Sequence, residues 1–517
     1  MIGGSGTKRG LTAGAVPLIV AAAVVLGACG GDDEGEPTAP ATASVTPADA
    51  AVFGDAVVRP EGNQQEAVDE ALSKLLDTDD PGAFIVEQLD RLLQEEGTGI
   101  TYSADVEPAL GENVGFFFTS FTEDADGAVV AEVTDESAAQ ATIDKVEAAS
   151  ESRLAERSYQ GVDYQADEDG AVGFVDDFLV AGTEGGFRDA VDASQGSALA
   201  DDDSFRGELE TAPEDSLATV YADVSTVLDR LVDAGEISAE ESASVEEQMG
   251  DVVREPALAA LTAADDNIAV QVAAGAGDTP EPEESPLLRE LPADAWFAFG
   301  ATDLGEDLQR SFDRFLATVP GYEEFNTEVE GLLGSRVEEL TSWIGDAGGY
   351  ASGTSIFGLG AALELETTDE ATSGDVISGI QRAFGRDPSL RIEPLGDGTQ
   401  GFTVSPADAP VQIVVEQREG RVVVGLGENS VEAVLEPTDT IGESDTFGSA
   451  ADALGSEYAA NVYVDFEPVL ELFESTGEGD NPEYQAAKPY LDHLDYLITG
   501  QRRDGDRNVL RAVLGLR

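Results

Sequence analysis

Residues that build most catalytic and metal sites are scarce in this sequence. Its 517 residues contain one histidine, His493, and one cysteine, Cys29. These two residues cannot form a structural zinc site, which needs four ligands, most often Cys and His. With a single cysteine no disulfide can form within the chain, so a hydrophobic core alone must hold the fold together.

The common catalytic motifs are also missing. No G-x-S-x-G sequence is present, and no lysine follows a glycine-rich loop with the spacing of a phosphate-binding loop. An activated serine and nucleotide hydrolysis are therefore not indicated. We predict no catalytic, cofactor-binding or metal-binding residues, no cofactor, and a protein that is not an enzyme. His493 is expected on the surface of a helix.

Basic residues are few: 27 Lys and Arg stand against 105 Asp and Glu, for a net charge of −78. A field of this sign repels phosphate backbones, which excludes nucleic acid as a partner. Because 42% of the residues are hydrophobic, the chain is not a wholly disordered acidic polymer. We interpret the excess of acidic residues as a solvated surface. Adaptation to salt would produce the same excess. Binding of divalent cations by part of it stays open.

The N-terminus combines a positive start with an apolar stretch. Lys8 and Arg9 precede the apolar residues, which end in the sequence Leu26-Gly27-Ala28-Cys29. This ending resembles a bacterial lipobox, in which the cysteine is lipidated and becomes the first residue of the mature protein. The resemblance implies a signal peptide over residues 1–28 and lipidation of Cys29. The protein would then be anchored in the cell membrane, facing outside the cytoplasm. An uncleaved membrane anchor and an ordinary secretory signal are the alternatives.

Downstream of Cys29 the chain changes character. Residues 29–46 are rich in Gly, Pro, Thr, Ala and acid, and predict a flexible tether. Two related domains are predicted at 47–274 and 291–517. The Pro/Glu-rich stretch 275–290 between them indicates a linker.

Four short matches in the same order indicate an internal duplication. Pro47-Ala48-Asp49-Ala50 recurs as Pro292-Ala293-Asp294-Ala295, and Tyr221-Ala222-Asp223-Val224 as Tyr463-Val464-Asp465-Phe466. The other two pairs begin at Thr134 and Thr368 and at Asn267 and Asn508. The sequence after Thr134 predicts a helix with apolar Ile143 and Val146.

Within each copy, hairpins alternate with single helices. Val162–Ala166 and Ala171–Val175 flank the turn at Asp169-Gly170, and Val114–Phe121 with Ala128–Val133 flank Asp126-Gly127. This pattern predicts an α+β fold of two tandem related domains. Each would have an antiparallel or mixed β-sheet with helices packed on it.

Acidic loops and tryptophans are the remaining candidates for a site. Asp124–Gly127 and Asp167–Gly170 superficially resemble calcium loops, but both lack the glutamate at the twelfth position. We interpret both as hairpin turns. Trp296 and Trp343 both fall in the second copy, and we expect them to pack in its core.

The repeated Pro-Ala-Asp-Ala starts, the lipobox and the tether together resemble a known family. It is the family of exported bacterial lipoproteins catalogued as domain of unknown function 3352. The resemblance covers nearly all of residues 47–517. It implies no catalytic residues.

We therefore expect a lipid-anchored envelope protein that binds a ligand or partner without catalysis. The ligand would be a small molecule, a lipid or an envelope protein, and we expect its site in a groove between the two domains. A structural spacing protein is one alternative, and a carboxylate-based hydrolase of envelope polymers is another. An apolar cleft would favour binding, a pocket with a pair of acids of raised pKa would favour hydrolysis, and the absence of a pocket would favour spacing.

Overall fold

The structure is a computed structural model that describes residues 39–517, except 96–98, 122–124, 150–152, 278, 317–321, 397 and 407–410. The predicted signal peptide, Cys29 and the first part of the tether lie outside the described residues.

The chain forms two compact units. The first comprises the residues up to Thr279 together with Arg503–Val509, and the second comprises Pro280–Arg502 with Leu510–Arg517.

The first unit is built on antiparallel strands. In chain order they are β1 (Val52–Val57), β2 (Leu110–Phe118), β3 (Gly127–Val133), β4 (Ala155–Tyr159), β5 (Val162–Ala166), β6 (Ala171–Val175), β7 (Phe178–Gly182), β8 (Ala218–Ala222), β9 (Ala257–Ala264) and β10 (Asn267–Gly275). Their order across the sheet is β4-β5-β6-β7-β3-β2-β1-β8-β9-β10.

The helices of the first unit lie between these strands in the sequence. They are Gly62–Leu76, Pro81–Glu95, Glu136–Ala149, Glu184–Gln195, Asp203–Leu209, Val224–Asp233, Ala239–Met249 and Asp251–Arg254, with a π-helix at Tyr102–Val106 and 3-10 turns at Ala41–Val45 and Leu199–Asp201.

The sheet of the first unit packs a separate core on each face. Successive side chains of a strand point to opposite faces, and β3 shows the division. Val130 belongs to a cluster with Phe53, Phe117 and Phe187. Its neighbour Ala131 belongs to a second cluster, which includes residues of the helix Pro81–Glu95.

The second unit has its own antiparallel strands. They are β11 (Ala295–Ala301), β12 (Ile344–Ser352), β13 (Gly360–Thr367), β14 (Leu390–Pro394), β15 (Gln400–Pro406), β16 (Ile413–Arg418), β17 (Arg421–Leu426), β18 (Ala459–Asp465), β19 (Leu494–Asp504) and β20 (Arg507–Leu516). Arg503–Val509, at the end of β19 and the start of β20, count with the first unit. Their order is β14-β15-β16-β17-β13-β12-β11-β18-β19-β20, which repeats the order of the first unit strand for strand.

The helices of the second unit fall between the corresponding strands. They are Pro286–Glu290, Leu304–Leu316, Tyr322–Leu333, Val337–Thr341, Glu370–Phe384, Glu428–Leu435, Asp445–Leu454, Phe466–Ser475 and Pro482–Leu491, with 3-10 turns at Ile356–Gly358, Ile441–Glu443 and Glu478–Asp480. The predicted mixture of antiparallel strands with helices packed on them is confirmed. The hairpin of β5 and β6 has the strand bounds expected from the sequence.

The tether prediction was wrong for its last residues. Ala41–Val45 form a 3-10 helix in which Thr42, Ala43 and Val45 are buried. Room for it exists because position 115 is glycine, where an added Cβ would lie 2.9 Å from the Thr42 hydroxyl. Thr42 Oγ1 also donates a hydrogen bond to the buried Asp55 carboxylate. The folded chain therefore begins earlier than composition suggested.

The linker prediction was wrong at both of its ends. Gly275 is the last residue of β10, and Pro286–Glu290 is a short helix with Leu287 and Leu288 buried. An added Cβ at Gly348 would lie 3.0 Å from that of Leu287, so a glycine again makes room for the packed segment. Pro and Glu content hid these two leucines, which carry the packing.

The buried Asp55 carboxyl should make the first unit sensitive to pH. Burial raises its pKa from 3.8 to about 7, while the Thr42 hydrogen bond opposes that rise. Between these values the folded chain holds a proton that the unfolded chain has released, so Asp55 lowers stability as pH rises from about 4 to about 7. Asn cannot ionise and still accepts from Thr42. We expect Asp55→Asn to match the parent near pH 4 and to exceed it by on the order of 2–4 kcal/mol at pH 8.

Denaturant unfolding of parent and variant between pH 4 and 8 measures this difference. A gap that does not change with pH would contradict the assignment.

Candidate functional site

A cavity of about 330 Å³ lies in the first unit, between the helix Glu136–Ala149 and one face of the sheet. We call this helix the cavity helix. The cavity is walled mainly by aliphatic and aromatic side chains and by small residues. Its lining residues include Val106, Ala109, Leu110, Phe116, Phe118, Val129, Ala131, Val133, Ala139, Thr142, Ile143, Val146, Leu154, Val172, Leu179 and Ala181.

Strand alternation builds the floor of the cavity. Val129, Ala131 and Val133 occupy every second position of β3 and face the cavity helix. Leu179 pairs with Ala131, and Ala181 with Val129, so β7 continues the same surface. The floor is therefore apolar along its length.

Helical spacing builds the opposite wall. Ala139, Thr142, Ile143 and Val146 stand at i, i+3, i+4 and i+7, which places them on one face of the cavity helix. Ile143 and Val146 are the apolar positions that the sequence predicts for this helix.

Polar groups of the lining are already bonded to the protein. Thr142 Oγ1 donates to the Asp105 carbonyl at 2.6 Å. Thr183 Oγ1 donates to Asp126 at 2.8 Å and accepts from the Gly186 amide at 3.0 Å. Because these hydroxyls are engaged, the walls favour an apolar occupant.

Charge at the cavity is held by partners. Lys145 binds the Asp105 carboxylate, and this hydrogen bond, with that of the Thr101 amide, keeps the pKa of Asp105 below its usual range. Carboxyls of raised pKa do occur in the described residues, in each case mainly because of burial: Asp55, Asp189, Glu364 and Asp465. None of these four lines the cavity.

Hydrogen bonds identify the position in the second unit that corresponds to Ala109. The Thr134 amide donates to the Ala109 carbonyl at 2.9 Å, and the Thr368 amide donates to the Trp343 carbonyl at 2.8 Å. The two threonine hydroxyls repeat these bonds to the same carbonyls. Both pairs are related by 234 residues. Trp343 thus stands where the first unit has alanine.

Trp343 fills the space that is empty in the first unit. It is 4% exposed and packs with Val376 and Ile377 of the helix Glu370–Phe384, which corresponds to the cavity helix. Its Nε1 is buried without an acceptor among the described residues. A buried N–H without a partner costs about 1–3 kcal/mol. The ring therefore contributes through its volume rather than through a hydrogen bond.

Other positions also carry more bulk in the second unit. Strand register aligns Ala131 with Leu365, and the pairing of β5 with β6 and of β15 with β16 aligns Gln165 with the fully buried Phe402. The cavity is therefore a difference in side-chain volume at equivalent positions of one framework.

The other sequence candidates do not come together at this cavity. Cys29 lies outside the described residues. Asp167 Oδ1 accepts from the Asp169 and Gly170 amides at 2.9 and 3.0 Å, which confirms a hairpin turn. His493 was expected on a helix but follows one, in the turn before β19, where its Nδ1 lies 3.3 Å from the Arg517 carbonyl oxygen.

The structure differs from the sequence prediction at two further places. The Trp296 ring is only half-buried, at the end of a hairpin, where its indole donates to the Gly353 carbonyl at 3.1 Å, so it is not a core residue. The two-residue turn expected at Asp126-Gly127 is instead a longer connection, in which the Thr119 and Ser120 amides both donate to the Asp126 carbonyl.

Sequence reasoning missed the cavity itself. The only indication in the sequence was that Ala109 of the first copy corresponds to Trp343 of the second, at the same 234-residue spacing that relates Thr134 to Thr368. A systematic comparison of side-chain sizes between the copies would have found it.

Within the described ranges, no group of three or more His, Cys, Asp or Glu side chains is arranged to hold a metal ion. None of the helices in the described part of the chain is both long and apolar enough to cross a membrane.

The fold and cavity define an acidic α+β protein with an apolar internal site. The family model of a protein of unknown function, DUF3352, matches residues 11–497. The chain belongs to this family, as its sequence had indicated.

Other comparisons add little. Curated proteins gave no match. Crystal form III of TP0453 is similar at 9% identity over 46% of this chain and 94% of that one, with a TM-score of 0.23. Crystal form I gives 10% identity over 48% and 82%, with a TM-score of 0.24. Scores this low support no inference about this protein.

Removing the tryptophan should destabilise the second unit. We expect Trp343→Ala to leave an apolar void and to cost about 3–5 kcal/mol. Trp343→Phe keeps most of the volume and loses the unpaired N–H, so it should cost clearly less. Denaturant unfolding followed by circular dichroism compares the three proteins. An alanine variant as stable as the phenylalanine variant would show that the ring does not fill this core.

Proposed function

We propose that the protein binds an apolar ligand, such as an alkyl chain, in the cavity of its first unit without transforming it. The single observation that supports this most is the contrast between Ala109 and Trp343. The same framework is filled by an aromatic ring in one unit and left open in the other. An apolar cavity of this size leaves its lining side chains exposed to water unless an apolar molecule covers them.

The apolar lining favours binding over hydrolysis. A carboxylate hydrolase needs an acid of raised pKa and a second carboxylate in one pocket. Of the two lining carboxylates, Asp105 is held ionised by Lys145, and Asp169 is exposed at the hairpin turn. A purely structural spacer would have no use for a cavity.

The N-terminal sequence supports a place for this activity. We propose that residues 1–28 are a signal peptide and that Cys29 is lipidated, so the protein stands on the outer face of the cell membrane. In this setting membrane lipids are the nearest source of alkyl chains.

The repeated strand order supports an internal duplication. Ten strands follow one another in the same order in both units, and the paired Thr134 and Thr368 hydrogen bonds add a match in detail. We propose that the two units descend from one ancestral domain, and that Trp343 fills in the second copy the position that lines the cavity in the first.

Filling the cavity should abolish binding. We expect Ala109→Trp to place a ring where Trp343 sits in the second unit and so to exclude the ligand. Gentle extraction from the native membrane followed by non-denaturing mass spectrometry should show a non-covalent ligand mass on the parent that the variant lacks. Titration with an apolar fluorescent dye should show at least a tenfold weaker response for the variant, about 1.4 kcal/mol.

Leu332→Trp is the control, since this residue is 49% exposed on a helix of the second unit. It should bind as the parent does. Equal binding by Ala109→Trp, with a folded circular dichroism spectrum, would overturn the proposed site.

Lipidation is tested separately at the cysteine. Cys29→Ser removes the only thiol, and two acyl chains anchor stably where one does not. We expect the variant to lose most of its retention in washed membranes and to lack the acyl mass of the parent. Retention equal to that of the parent would overturn the anchor and leave the cavity proposal intact.

A further inference from the structure

A stretch of seventeen residues in the second unit, Ala347–Leu363, carries no charged side chain. Over the whole chain 26% of the residues are charged. The stretch covers most of β12, the connection to β13 and the first half of β13. Its middle therefore interrupts an otherwise highly acidic surface.

The connection within this stretch presents apolar side chains to solvent. Phe357 is fully exposed at 102%, Ile356 is 60% exposed and Leu359 is 36% exposed. We call these three residues the apolar tip. Single exposed apolar residues are ordinary on protein surfaces, but three within four consecutive positions form a patch.

The apolar tip is held in place by its own backbone. The Gly358 amide donates to the Ser355 carbonyl at 3.0 Å, and Trp296 binds the Gly353 carbonyl at the base. Gly353 has a φ of +92°, and an added Cβ there would lie 2.2 Å from the Gly358 oxygen, so only glycine closes this loop. Phe357 is therefore directed outward by a closed turn rather than by a loose segment.

Further exposed apolar residues lie at the same end of the neighbouring strands. Val411 is 48% exposed and Ile413 is 42% exposed. Ile413 opens β16 and pairs with Leu426 at the end of β17, which lies next to the start of β13. With strands about 4.8 Å apart, this places Ile413 roughly 10 Å from the base of the tip.

We propose that the apolar tip inserts into the surface of a lipid bilayer. It protrudes rather than encloses, so it cannot surround a small ligand as a cavity does. A stable protein interface buries about 800 Å² on each partner, which is more than the three side chains of the tip expose. The acyl boundary of a membrane, in contrast, accepts Phe, Ile and Leu and rejects charge.

The net charge also selects the kind of surface. A field of −78 opposes anionic head groups, so insertion should be stronger in zwitterionic membranes and should gain from added salt in anionic ones. The choice of a membrane as occupant rests in part on the proposed lipid anchor, which would keep the protein at a bilayer.

Fluorescence of the full-length protein tests the insertion. Phe357→Trp places an indole on the fully exposed position without touching the core. The variant is reconstituted in phosphatidylcholine vesicles whose acyl chains are brominated or not. We expect bromine to cause a loss of emission beyond that of the parent, and the vesicles to shield the new indole from acrylamide. Phe325→Trp is the matched control, because this position is 53% exposed on the helix Tyr322–Leu333, away from the tip in sequence. It should behave as the parent does.

The outcomes separate this inference from the anchor. Protein that floats with the vesicles but shows no extra loss at position 357 would overturn the apolar tip alone. Loss at 357 with unchanged flotation of Cys29→Ser would overturn the anchor alone. Protein that does not float would overturn both. Equal losses for Phe325→Trp and Phe357→Trp would also overturn a specific role for the tip.

Discussion

The sheet of the first unit is apolar on both of its faces, so both faces must be covered. An antiparallel sheet with an apolar surface on both sides needs packing partners above and below it. In the first unit Phe53, Phe117 and Phe187 fill one side. The other side is covered by helices, of which Glu136–Ala149 closes over the floor of β3 and β7. The size of the side chains between this helix and the strands then determines whether the space is a packed core or a cavity.

The two units differ in the size of these side chains while their backbones are held in the same way. The carbonyls of Ala109 and Trp343 accept the same threonine hydrogen bonds, so the backbone is held alike in both units. Alanine leaves the space open, whereas the indole fills it. The framework can therefore acquire or lose an apolar cavity without any change in topology.

Local pattern predicted the elements better than their surroundings. The β5–β6 hairpin follows from alternation and an Asp-Gly turn, and the helix with Ile143 and Val146 follows from its periodicity. Composition failed at Ala41–Val45 and Pro286–Glu290, because small or Pro/Glu-rich segments can still pack when a glycine faces them. The cavity could not be read from one copy, since an empty volume depends on side chains from several strands and a helix.

The cavity beside Ala109 should affect how the protein responds to pressure. Packing defects make the folded state larger than the unfolded chain in water, so the volume of unfolding becomes more negative as they grow. The first unit contains the open space and the second fills its equivalent with Trp343. Hydrostatic pressure should then act unequally along the chain and unfold the first unit ahead of the second. An occupant of the cavity would remove that difference.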